Sequence, residues 1–241
     1  MNNTFELSRL VNFIKRQALL NIPTLLIGAG AVFGCLLLIT LLVAYFNPDD
    51  IQNLVALYLV VLFVSGFIFT SRIFSELNQP STGYAFLTLP ASPLEKLLGS
   101  WLVSSPVYVA VYVLITFIIY TLGCLIARSP EMIGPFYPEM AHAIGSFMVL
   151  QTIFFLGAIT FRKNNMLKTL FALFVFGVIL AAFTGISVFI AFEGTWQNED
   201  FPLSSISLFE DASKVLPFLF EVALGPFLLI VSYFKLKERE V

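Results

Sequence analysis

Residues 71–99, SRIFSELNQPSTGYAFLTLPASPLEKLLG, are the longest interruption between hydrophobic runs in this chain, and the sequence on both sides of them reads as membrane. Ile73, Phe74 and Leu77, together with Arg72 and Glu76, form a short helical pattern. It breaks at Asn78-Gln79-Pro80-Ser81-Thr82-Gly83, residues that favour turns for separate backbone reasons. After Tyr84 and Phe86, Ser92-Pro93-Leu94-Glu95 has the spacing of a capping box with proline at the first helical position, so a new helix is predicted to start there. A structured, partly apolar connection of this kind must pack against something, either the lipid headgroups or protein.

The runs outside this stretch set the class. With 59% hydrophobic and only 12% charged residues, the chain is too apolar for a soluble domain and must use lipid as solvent. Each span needs roughly 20 apolar residues and has to satisfy its own backbone polar groups. The short alternating patterns of barrel strands are absent. The expected fold is therefore an all-α polytopic membrane protein.

Working outward, residues 3–21 are amphipathic. Leu7, Leu10, Val11, Ile14 and Ala18 share one helical face, and Ser8, Arg9, Asn12, Lys15 and Arg16 share the other, with Asn3 and Glu6 spaced as a cap. Residues 1–22 are expected to form an interfacial helix that stays in the mature protein, because the apolar run after it is too long for a signal peptide and ends in no cleavage pattern. Residues 23–241 are expected to form a six-span domain. Its runs cover about Pro23 to Phe46, Ile51 to Ser71, Trp101 to Ala127, Met140 to Phe161, Thr169 to Phe192 and Val215 to Phe234.

Orientation follows from the cations. With the N-terminus cytosolic, eleven of the 13 Lys and Arg residues fall inside and only Arg128 and Lys214 fall outside. Both termini are then cytosolic. Residues 72–99 become the first inner loop, Arg162 to Lys168 the second, and residues 193–214 an acidic outer loop too small for a folded ectodomain.

These features together resemble the permease subunit of an ABC-2-type (type V exporter-like) ABC transporter. An amphipathic elbow helix, six spans, cytosolic termini and an outer segment before the sixth span match its architecture over the whole chain. SELNQPSTGYAFLTLPASPLEK, about 22 residues from Ser75 to Lys96, is similar to that family's inner loop, with an acidic residue, a small-residue turn, an aromatic and an LPxSxxEK pattern leading into span three. The resemblance implies that this loop holds a coupling helix docked on a separate ATPase subunit, a role it would give to Glu76, Gly83 and Tyr84, and more loosely to Arg72 and Phe74. It further implies an exporter built from two such permeases, as a homodimer or with a sister subunit, and two ATPases in a bacterial plasma membrane. A non-transporting scaffold that holds a cytosolic partner through the same loop is the alternative.

No G-x-x-x-x-G-K-[ST] occurs, so no P-loop is present and any ATP and Mg would belong to the partner. No cofactor, catalytic residue or metal set is expected in this chain. His142 and Ser146 share one helix, a poor arrangement for activating a nucleophile, and His142 with Cys35 and Cys124 makes no ligand cluster. Nothing in the sequence points to nucleic acid. Polar residues within the spans are the candidates for a pathway. Glu221 is a functional candidate by its depth, although Pro217 and the Gly225-Pro226 break equally allow a re-entrant segment that leaves it at the interface. Gln151 and Ser104-Ser105-Pro106 line either a helix contact or a cavity. Gly30 and Gly34 form a G-x-x-x-G that would permit close helix approach.

Overall fold

A computed structural model describes residues 5–78, 80–128, 136–191 and 219–240. Among the described residues all regular structure is helical. Five helical stretches are long and apolar enough to cross a membrane: Leu25–Phe46, Pro48–Leu77, Pro93–Ile126, Ala143–Thr160 and Asn165–Ser187. The chain is a multi-pass helical protein. The expected outer loop 193–214 and the start of the sixth run lie outside the described residues.

The first helix, α1 (Leu7–Phe46), carries the amphipathic segment and the first span as one continuous helix of 40 residues, with Pro23 inside it. A 3-10 turn, Pro48–Asn53, leads into α2 (Leu54–Arg72). Two short helices follow, α3 (Ser75–Asn78) and α4 (Pro80–Leu87), and then α5 (Pro93–Leu102). The third span continues through a π turn, Val103–Val107, into α6 (Tyr108–Ile126). The remaining elements are α7 (Phe136–Thr160), α8 (Asn165–Ala191), a second π turn at Leu219–Leu224, and α9 (Gly225–Glu240).

Each π turn has a proline beside it. Pro106 lies inside the first and Pro226 two residues past the second. Proline donates no N–H and its ring crowds the carbonyl four residues back, so the helix widens locally instead of closing its usual bond.

The upper core lies between α1, α2, α6 and α7 and is held by aromatics. The Tyr112 hydroxyl donates to the Tyr58 carbonyl at 2.7 Å and the Tyr108 hydroxyl to the Leu62 carbonyl at 3.0 Å, so two α6 side chains bond the backbone of α2. Phe67 stacks on Phe154, with ring centroids 4.1 Å apart. Gly66 lets α7 approach α2, because a Cβ there would collide with the ring of Phe147. By contrast Gly28, Gly30 and Gly34 have open space where a Cβ would stand, so the G-x-x-x-G makes no close helix contact among the described residues. Cys124 is buried in this core and Cys35 is exposed.

A second apolar cluster occupies the other end of the bundle. It joins Phe13 of α1, Phe74 beside α3, Phe86 of α4, Leu97 of α5, Phe155, Ala158 and Ile159 of α7, and Leu236 of α9. The amphipathic segment, the 71–99 connection, the end of α7 and the C-terminal helix therefore meet at one end.

Candidate functional site

The 71–99 connection is a packed module, and one carboxylate fastens it. Ser92 caps α5 by accepting the Glu95 N–H at 3.2 Å, while Glu95 Oε2 accepts the Ser92 N–H at 2.7 Å, which completes the predicted capping box. The second oxygen of Glu95 reaches a different helix. Oε1 accepts the N–H of Glu6, the residue that opens α1, at 2.8 Å, and lies 3.4 Å from the Arg9 guanidinium. Glu95 is fully buried, so one carboxylate caps two helices and joins them. The expected cap by Asn3 and Glu6 differs from this: Asn3 lies outside the described residues, and Glu6 is the N-cap but makes no side-chain cap bond, its carboxylate instead pairing with Arg9 at 3.1 Å.

Further contacts continue the seam along α1. Gln17 donates from Nε2 to the Ile73 carbonyl at 3.1 Å, and Arg16 Nη1 pairs with Glu76 Oε2 at 3.0 Å. Phe13 meets Phe86 edge to face at 6.0 Å, and Gly99 leaves room for the Phe13 ring, which a Cβ would approach to 2.8 Å. The α1 residues buried by this packing are Leu10, Phe13 and Gln17, while Leu7 and Val11 from the expected apolar face stay exposed. The helix thus carries one face for protein and another for the surroundings. Lys96, also fully buried, places its ammonium over the Phe86 ring, 5.6 Å from the centroid.

The five residues assigned to coupling divide by exposure. Tyr84, in the middle of α4, is 75% exposed, and Arg72 is exposed at the end of α2. Glu76 is half-buried and holds Arg16 of its own chain. Phe74 is fully buried between Phe86 and Phe155, and Gly83 is buried with its Cβ direction 3.2 Å from the Leu77 carbonyl oxygen. Phe74 and Gly83 therefore shape the module from within, and Tyr84 is the side chain it presents outward.

The pathway candidates also separate. Gln151 is fully buried and donates to Ser104 Oγ at 2.8 Å across the π turn of span three, while its carbonyl oxygen has no partner among the described residues. The Ser105 hydroxyl, buried in the same π turn, has none among them either. Polar groups gathered at one buried place set this junction apart from the apolar packing around it. Replacing Gln151 by Met is expected to leave thermal stability unchanged or raise it, by up to about 1 kcal/mol, since an unsatisfied carbonyl is removed; a melt of the purified variant checks this. Glu221 lies in the second π turn, but its side chain and that of His142 lie outside the described residues.

Sequence reasoning missed Glu95 as the central carboxylate, although the box that placed it was legible. It also missed a groove of about 750 Å³ at the same end of the bundle, between the end of α2 and the turn from α7 to α8. Asn164 adopts a left-handed backbone there, with φ of 55°, and Asn165 donates to the Ser71 carbonyl at 3.3 Å. Close by, Arg239 donates to the Thr160 carbonyl at 3.0 Å; partial burial and the charge of Arg162 hold its guanidinium below the ordinary arginine pKa.

Comparison with protein-family models, curated proteins and solved structures finds no match for this chain.

Proposed function

We propose that the chain is the permease subunit of an ATP-driven exporter, coupled to a separate cytosolic ATPase through the 71–99 module, which carries Tyr84 on its exposed side. The observation that carries this reading is mechanical. The connection between spans two and three is a capped, cross-braced unit with a buried apolar interior and Tyr84 exposed on α4, and α5 runs directly into span three. A partner can displace a membrane helix only through a contact stiff enough to transmit force, and Glu95, Arg16 and Phe74 supply that stiffness.

On this reading both termini are cytosolic, the run from Val215 to Phe234 is the sixth span, and the protein resides in a bacterial plasma membrane. ATP and Mg bind the partner. Two permeases pack together with two ATPases, and the exposed sides of α1 and α8 face lipid or the second permease. Closure of the ATPases pushes on Tyr84, moves α4 and α5 as one body, and bends span three at its π turn, where Gln151 and Ser104 lie. Substrate then moves outward along the permease interface.

The test uses the chain coexpressed with its ATPase in proteoliposomes. The expected result is ATP hydrolysis several-fold above that of the ATPase alone, lost in Tyr84→Arg while the variant melts like wild type. Binding without any change in hydrolysis would replace the permease by a scaffold that uses the same loop.

A further inference from the structure

The groove between α2 and α8 carries an excess of positive charge that no carboxylate among the described residues is seen to neutralise. Arg72, Arg162 and Lys163 line it together with Ser71, Ser75, Asn164 and Asn165. Among the described residues no carboxylate lines it. The described carboxylate side chains at this end are engaged elsewhere: Glu6 and Glu95 with Arg9, Glu76 with Arg16, and Glu238 with Lys235. Like charges gathered in one concavity repel one another and raise the local potential for an anion.

Two independent features point the same way. Ser71 is 93% buried by its 7% exposure, lines the groove, and has a hydroxyl oxygen with no hydrogen-bond partner among the described residues. In addition α8 begins at Asn165, in the groove wall, so the unpaired N–H groups of its first turn and its positive dipole end lie beside the cations. Guanidinium, ammonium, hydroxyl and helix N–H donors with no acceptor of full charge form the donor set of a phosphate site.

The rim identifies the source of the phosphate. Ile68, Met166 and Leu167 complete the lining, with Ile68 37% and Leu167 66% exposed, and α8 continues from them as an apolar surface with Phe171 and Phe174 each 68% exposed. A polar, cationic concavity that opens onto an apolar, membrane-spanning surface suits an amphiphile with its head in the groove and its chains along α8.

We propose that this groove binds the phosphate headgroup of an anionic phospholipid, with Arg72, Arg162 and Lys163 as its cations, the Ser71 hydroxyl as a neutral donor and the α8 surface receiving the acyl chains. The inference does not rest on the permease reading, since it needs only a membrane-spanning chain and no ATPase. A lipid held there ties span two to span five at the end of the bundle where the 71–99 module sits. Occupancy would then stiffen the base on which α3 and α4 stand.

The test is native mass spectrometry of the full chain released from nanodiscs of phosphatidylglycerol and phosphatidylcholine in equal amounts. Wild type is expected to retain phosphatidylglycerol over phosphatidylcholine, and Arg162→Gln/Lys163→Gln to reduce that preference about tenfold or more, from two lost surface cations. Lys163 is exposed, so K163Q alone is expected to weaken retention part-way while its melting matches wild type, which keeps the test valid if the double variant misfolds. Equal retention of the two lipids by wild type, or undiminished preference in the variants, would overturn the proposal. Inorganic phosphate at millimolar concentration is expected not to displace the lipid; binding of phosphate alone, with displacement, would reassign the groove to a soluble anion and overturn the lipid assignment.

Discussion

Replacing Glu95 by Ala is expected to lower the stability of the protein by about 3 kcal/mol and to free the N-terminal segment of α1. Two backbone N–H groups, those of Ser92 and Glu6, lose their acceptor at once, and the Arg9 guanidinium loses the buried partner at 3.4 Å. Each orphaned buried donor costs about 1–3 kcal/mol, and loss of the cap itself costs about 1 kcal/mol, with overlap between the two. For a chain of this size that is a fall in melting temperature on the order of 10 °C. Because Arg9, Lys15 and Arg16 lie on the released segment, limited trypsin digestion should cut there faster in the variant. Ser92→Ala removes only the bond to the Glu95 N–H and is expected to cost about 1 kcal/mol with α1 still attached. Equal melting of Glu95→Ala and wild type, with no new cleavage, would show that the carboxylate does not join the two helices.

Gly66→Val is expected to cost about 3 kcal/mol or more through overpacking. A Cβ at this position meets the Phe147 ring well inside contact distance and Tyr108 Cε1 at 2.9 Å. Neither neighbour has room to retreat. Phe147 is fully buried and wedged by Phe63 at 5.7 Å and Phe67 at 5.9 Å, and the Tyr108 hydroxyl is held by the Leu62 carbonyl. Close packing transmits such a collision to the backbone, so α2 and α7 must separate. Gly66→Ala should fall between wild type and Gly66→Val in a thermal melt in detergent. A melting temperature of Gly66→Val at or above that of wild type would mean that α2 and α7 are not in this contact.

What was legible in the sequence follows the range over which each signal acts. The positions of the first five spans were readable because hydropathy is local and continuous, and the capping box at Ser92 and Glu95 because its geometry lies within four residues. The amphipathic segment was readable as a helix, but the face that it buries was not. Leu10, Phe13 and Gln17 are chosen by α5 and by the Ile73 carbonyl, which approach from 56 or more positions away, and periodicity cannot report a distant neighbour. The same reason hid the role of Glu95. Its spacing revealed the N–H of Ser92 and gave no hint of the N–H of Glu6, 89 positions away. The resemblance assigns Glu76 to a contact with a separate ATPase, whereas the fold pairs it with Arg16 of the same chain, 60 positions away.

At the site level, Ser104-Ser105-Pro106 pointed to an irregular polar spot in span three, and proline chemistry explains the π turn there. Gln151 was recognisable as a polar residue at depth, yet its pairing with Ser104 needed the packing of α7 against that turn. The basic groove was invisible because Arg72 and the 162–163 pair sit on different connections that only the fold brings together.

Purification of the tagged chain in mild detergent, with mass spectrometry of what accompanies it, decides whether this module holds an ATPase. A P-loop ATPase is expected in about one-to-one ratio, and is expected to be absent when Tyr84 is replaced by Arg in a variant that still melts like wild type. A well-folded chain that brings down no ATPase would contradict the claim that this module couples the membrane helices to one.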